Sequence, residues 1–150
     1  MKGRTYRYFT GEPLWPFGYG LSYTTFKYAD LTLPRTPIAA GAPLDAAVKV
    51  TNTGKVAGDE VVQLYLKFPD LPGAPIRALR GFQRVHLAPG ETRVVKFHLE
   101  QRDLSMVTQA GDRIIADGRY TVSVGGGQPG TGAPSVSGTV QVAGRIQLPE

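Results

Sequence analysis

The sequence has no cysteine, a single asparagine, a single tryptophan and two histidines among its 150 residues. Without cysteine there can be no disulfide, zinc–thiolate site or iron–sulfur cluster. The lone asparagine, Asn52, is followed by Thr53 and Gly54, so no N-glycosylation sequon exists. No apolar run approaches the ~18 residues of a membrane-spanning helix. The first eight residues, Met1 to Tyr8, lack the apolar centre of a signal peptide. Charged residues are scarce (19%) and hydrophobic ones plentiful (41%), which excludes a disordered polyelectrolyte. The length suits one domain with a substantial core.

Helical periodicity is also nearly missing. What is abundant instead is turn chemistry, with 19 glycines and 12 prolines. Alternation of period two recurs: Val48, Val50 and Asn52; Val62, Leu64 and Leu66; Val85 and Leu87; Val95, Phe97 and Leu99; Tyr120, Val122 and Val124; Val136, Val140 and Val142. Each run reads as a strand with one buried face and one wet face, so that Gln63, Tyr65 and Lys67 point outward. Turn signals separate the runs at 52–54, 57–59, 72–73, 89–91, 110–112 and 117–118. Short alternating strands between such turns predict an all-β, antiparallel sandwich over residues 26–150. Phe26, Tyr28, Leu31 and Leu33 open it, with a phase slip near Asp30 of the kind a bulge causes. Residues 100–105 are expected to form one helical turn, with Asp103 a candidate cap. The glycine-rich stretch 125–134 is expected to be a flexible loop.

Residues 1–25 fit no period and are read as an irregular N-terminal arm or linker. Tyr6, Tyr8, Phe9, Trp15, Phe17, Tyr19 and Tyr23 crowd it, and Pro13 and Pro16 bracket the tryptophan. Aromatics at that density are costly to leave in water, so the segment is expected to pack against something.

The balance of charge is +5 with a pI near 9.6. The basic residues stand singly, and even Arg77, Arg80 and Arg84 do not share one face of a strand, so nucleic acid and membrane are not expected partners. Carboxylates beside turns (Asp59, Asp112) suit local backbone bonds, and the neighbours Asp59 and Glu60 point to opposite faces of a strand. These carboxylates are not placed as the facing pair that general acid–base or nucleophilic catalysis shares. His86 and His98 fall on wet faces with no second ligand at metal spacing. Ser22 fails the nucleophile-elbow pattern, because Thr24 stands where glycine is required. No catalytic residue, metal site or cofactor is expected.

The segments RTYRYF (4–9) and PLWPFGYGLSY (13–23) resemble the linker late in family-3 glycoside hydrolases. VTNTG (50–54), GDEVVQLY (58–65), LRGFQRV (79–85), LAPGE (87–91), Leu104-Ser105 and VSVGG (122–126) are similar, in order, to that family's C-terminal fibronectin type III-like domain. The resemblance covers nearly the whole chain. It implies an immunoglobulin/fibronectin type III-like sandwich and a parent enzyme of β-glucosidase or β-xylosidase type, whose catalytic Asp and Glu lie on barrel and α/β domains absent here. The chain is then a C-terminal piece, or a free-standing relative, of such a hydrolase, with Met1 an internal start and the Leu148–Glu150 end a natural terminus. Met106-Val107 departs from the aromatic pair many members carry after Leu-Ser. The partners implied are the catalytic domains, and the compartment is not legible, a secreted or periplasmic bacterial parent being one setting that fits. Five aromatics are singled out as domain-docking or sugar-contact residues: Trp15, Phe17, Tyr19, Tyr65 and Phe68. Aromatic faces can stack on sugar CH groups. The competing reading is that Tyr65 and Phe68 pack under a loop and that Trp15, Phe17 and Tyr19 anchor the linker. A polysaccharide-binding module, or a homodimer formed through the arm, is the alternative to a stabilising accessory domain.

Overall fold

A computed structural model describes residues 3–149, so the readings placed on Met1 and Glu150 lie outside the described residues. One short helix, α1 (Thr5–Tyr8), precedes eleven strands: β1 (Phe26–Thr32), β2 (Ile38–Ala39), β3 (Leu44–Asn52), β4 (Gly58–Lys67), β5 (Ala78–Leu87), β6 (Thr92–Leu99), β7 (Met106–Val107), β8 (Arg113–Ile115), β9 (Gly118–Gly125), β10 (Ser135–Ala143) and β11 (Ile146–Gln147). A three-stranded sheet, β1-β3-β6, faces a five-stranded sheet, β2-β10-β9-β4-β5, and a small sheet β11-β8-β7 adds to them. All pairings are antiparallel except the two-residue contact of β2 with β10. The all-β sandwich expected from the alternation is the fold observed.

The core is made by the alternating residues. Val48, Val50, Val95 and Phe97 from one sheet meet Val62, Leu64, Val122 and Val124 from the other, all buried in one cluster. Gly81 lies opposite Leu64, and a side chain there would run into the Phe97 ring at 2.9 Å, so the glycine lets the two sheets close. The phase slip near Asp30 is real: the β1–β3 register shifts between Ala29 and Thr32, and Asp30 has φ 53°.

Asn52 closes the end of the sandwich and is fully buried. Its amide nitrogen donates to the carbonyls of Val56 (2.9 Å) and Leu87 (3.0 Å), and its Oδ1 accepts from Thr24 Oγ1 (2.7 Å) and the Gly54 N–H (3.0 Å). A buried amide is tolerated because every group is partnered.

Residues 100–105 make the single turn expected, closed by the Leu104 N–H on the Glu100 carbonyl (3.3 Å), and the Asp103 carboxylate accepts the Glu100 N–H (3.0 Å). Two expectations need correction. The stretch 125–134 is a packed loop: Gly127 and Gln128 are buried, and Arg77 donates to the Pro129 carbonyl. The outward face of β4 is not wet at its centre, since Gln63 and Tyr65 are buried as deeply as core residues.

Candidate docking surface

The dry centre of that outer face exists because the N-terminal segment folds back over it. The Tyr6 ring stacks on Phe17 (4.0 Å between centroids, 10° between planes) and meets Tyr65 edge-on at 6.3 Å. Hydrogen bonds tie the same region to β5 and the residues before it: the Leu79 N–H donates to the Tyr6 hydroxyl (3.1 Å) and the Ile76 N–H to the Arg7 carbonyl (2.7 Å). Gly18 lies against the sheet. It is left-handed (φ +77°), and a Cβ there would collide with Gln63 Oε1 and the Tyr65 hydroxyl. Its carbonyl instead accepts from Gln63 Nε2 (3.2 Å), while Gln63 Oε1 accepts from the Tyr65 hydroxyl (2.7 Å). The same amide nitrogen lies 3.4 Å from the Gly126 carbonyl, which joins the glycine-rich loop to the segment. Burial holds the Tyr65 phenol up at about 12, so it stays a donor at neutral pH.

The five singled-out aromatics therefore fall into two groups. Tyr65 and Phe68 are buried, Tyr65 under Tyr6 and Phe68 against the Tyr120 ring at 5.8 Å with the Arg80 guanidinium over it at 5.3 Å. Neither offers a ring face to a ligand. Phe17 and Tyr19 are half exposed, and Trp15 is 71% exposed, tilted against Tyr19 at 4.9 Å. Leu14, Leu21 and Tyr23, not singled out from the sequence, are almost wholly exposed. A groove of about 1220 Å³ runs past Phe9, Glu12, Trp15, Phe17 and Arg77. The segment thus has an inner side fixed to the sandwich and an outer side of bare apolar residues. Gly18 and Gln63 also escaped notice; the positive φ at Gly18 has a signal in its PFGYG setting, but a polar residue at alternate phase carries no mark of burial.

The carboxylates are occupied locally. Asp59 binds the Arg84 guanidinium and His86 Nδ1 (2.6 Å), which hold its carboxyl below the usual range, Arg84 first. Asp112 accepts from Gln147 (3.1 Å), and Asp117 accepts the Gly144 N–H (2.7 Å). Glu60 lies half-buried in a second cleft, of about 670 Å³, between residues 16–26 and the glycine-rich loop, and burial raises its carboxyl. Its charge, after burial, pushes the neighbouring Tyr28 phenol far up. No group of three metal-ligating side chains occurs among the described residues.

Comparison with known proteins gives this geometry a context. A family model described as a fibronectin type III-like domain matches residues 60–128. A β-xylosidase of Formosa agariphila is 44% identical over 137 residues, covering 91% of this chain and 19% of its own. The thermostable β-glucosidase B of Acetivibrio thermocellus is 39% identical, covering 80% of this chain and 17% of its own. Among solved structures, β-glucosidase 3B from Thermotoga neapolitana in complex with α-D-glucose superposes with a TM-score of 0.82 at 34% identity, covering 95% of this chain and 19% of that one. The chain thus spans about a fifth of the length of the relatives it matches.

Proposed function

The chain belongs to the fibronectin type III-like domains of family-3 glycoside hydrolases, a non-catalytic accessory domain, and from that premise we propose that residues 1–25 are an arm that docks the sandwich, residues 26–150, onto the catalytic domains of such a hydrolase. The parent activity in this reading is hydrolysis of β-glycosidic bonds in plant-wall-type oligosaccharides. The observation that carries the proposal is the two-sidedness of the arm. Tyr6, Phe17 and Gly18 fasten one side to the sandwich, while Leu14, Trp15, Leu21 and Tyr23 turn bare apolar surface outward. Apolar side chains held out on an anchored segment gain roughly 25 cal/mol per Å² when a neighbour covers them. In the relatives the matching region is part of a much longer chain, and in this reading that chain is the neighbour.

The test is association of the chain with the catalytic domains of its hydrolase, supplied separately and followed by calorimetry. Trp15→Ala is expected to weaken association by about 2 kcal/mol, as loss of an exposed aromatic anchor does, while the isolated chain keeps its stability within about 0.5 kcal/mol. Undiminished association would remove the arm from the interface. The tilted Trp15–Tyr19 pair beside the groove also favours a second reading, in which the arm holds polymeric substrate. Retention on insoluble xylan or cellulose, lost in Trp15→Ala, would support it. Self-association abolished by the same change would point to a homodimer through the arm.

A further inference from the structure

Glu60 is a carboxylate on the core-facing side of its strand. It precedes Val62, Leu64 and Leu66 in the alternation that fills the sandwich. At this end of β4 the core gives way to the cleft of about 670 Å³ between residues 16–26 and the glycine-rich loop, and Glu60 lines it, partly exposed. Gly126 makes the room: a Cβ there would stand 3.1 Å from Glu60 Oε1 and 3.4 Å from Oε2. Among the described residues, no cation lies within ion-pair distance of Glu60. Burial disfavours its charge more than the Val61 N–H and the Tyr28 hydroxyl favour it, and that hydroxyl makes no well-aligned hydrogen bond.

The rest of the cleft offers this carboxylate no counter-charge. No lysine or arginine lines it, and its other carboxylate, Asp59, is already held by Arg84 and His86. Its threonine hydroxyls are committed too: Thr24 to Asn52, Thr25 to Thr53 and Thr131 to the Gln128 carbonyl. Tyr19, Leu21, Phe26 and Val61 give it apolar walls. Apolar walls around one uncommitted carboxylate complement a side chain that carries a cation on a methylene stem, as lysine and arginine do. The cleft also opens on the docking side. Pro16 and Tyr19 line both it and the groove past Trp15, and Leu21 belongs to the outward apolar surface of the arm. In the relatives most of the chain lies outside the matching region, so the partner for such a cleft can belong to the same protein.

We infer that the cleft at Glu60 is the receptor for a lysine or arginine side chain of the neighbouring catalytic domain. This rests on the docking reading, but its chemistry is tested apart from it. In a first experiment, n-butylammonium is titrated into the isolated chain at neutral pH and constant ionic strength while the Gly126 and Gly127 amide resonances are followed by NMR. A saturable shift, absent with sodium or n-butanol, is expected, and Glu60→Gln removes it. In a second experiment, Glu60→Gln and Gly126→Ala are compared with the unaltered chain for association with the catalytic domains. Both are expected to weaken it at least about tenfold, the first by removing the charge and the second by filling the space beside it. Glu60→Gln is expected to leave the Tm of the isolated chain unchanged or higher, because an uncompensated carboxylate is neutralised. A lower Tm would give the carboxylate a partner within the chain and overturn the inference. So would the absence of a saturable shift, or a shift with undiminished association, which would make the cleft a receptor for free amines only. If Glu60→Gln associates normally while Trp15→Ala does not, docking through the arm stands and the cation receptor falls. The reverse result would keep the cleft in the interface and take the outward aromatics out of it.

Discussion

The two faces of the five-stranded sheet are buried by different means. On the inner face, Val62, Leu64, Leu66, Val122 and Val124 meet the opposite sheet, and each is an aliphatic side chain at the expected phase. On the outer face, Gln63, Tyr65 and Ser123 are nearly as inaccessible, yet two are plainly polar and the third carries a hydroxyl. Their burial is local and pairwise. Ser123 bonds Ser137 (2.7 Å), Tyr65 bonds Gln63, and Gln63 reaches the backbone of Gly18. An inner face of this kind needs volume and phase only. The outer patch needs a particular covering strand of chain with a glycine at one point, and it becomes wet if that cover lifts. The rest of the outer face, with Asp59, Arg84, His86 and Phe82, is already open to solvent.

The comparison breaks most sharply at Leu64. Truncating Leu64→Ala removes a fully buried side chain from the cluster and leaves a cavity between the sheets. A loss of about 2–5 kcal/mol is expected from denaturant unfolding of the isolated chain. A loss below that of an exposed site would mean that the sheets are not held by this face. Gly18→Ala probes the other side. It forces a Cβ into a left-handed position against Gln63 and Tyr65, at a cost of about 1–2 kcal/mol that lifting the arm can relieve. Hydrogen exchange should therefore rise in residues 5–23 and at Gln63, while unfolding of the sandwich shifts much less than in Leu64→Ala. Equal shifts in both would make the arm part of the cooperative core.

This asymmetry also decides what could be read before the structure. The inner face follows from alternation, and the β1 irregularity from its broken phase at Asp30, because both are local patterns. The covered outer patch does not. Nothing near Gln63 or Tyr65 says that a segment some 45 residues earlier lies on top of them, and the wet-face reading fails for that reason alone. The crowding of aromatics in the arm announces a need for cover, but the pattern is silent on which ring turns inward. Phe17 and Trp15 are two residues apart, yet Phe17 stacks on Tyr6 while Trp15 faces solvent. Glu60 is likewise unmarked as a cleft residue, since the arm and the glycine-rich loop that form the cleft stand far from it in sequence.

The outer face of the three-stranded sheet has no arm, and His98 measures what holds such a face. His98 Nδ1 pairs with Asp45 Oδ1 (2.7 Å), its cross-strand neighbour, and Nε2 lies 3.3 Å from Glu100. The Asp45 hydrogen bond, above all, raises the imidazole pKa from its ordinary value. A raised histidine stabilises the folded chain fully below the unfolded pKa of about 6.5, and that contribution disappears as pH rises through the folded value. The side chain is largely exposed, so the effect is the smallest of the three and is screened by salt. The difference in Tm between the unaltered chain and His98→Gln should be positive near pH 5, shrink towards zero by about pH 9, and fade in about 1 M salt. A difference independent of pH would mean that His98 acts through packing, and the bare face would then be built more like the covered one than its exposure suggests.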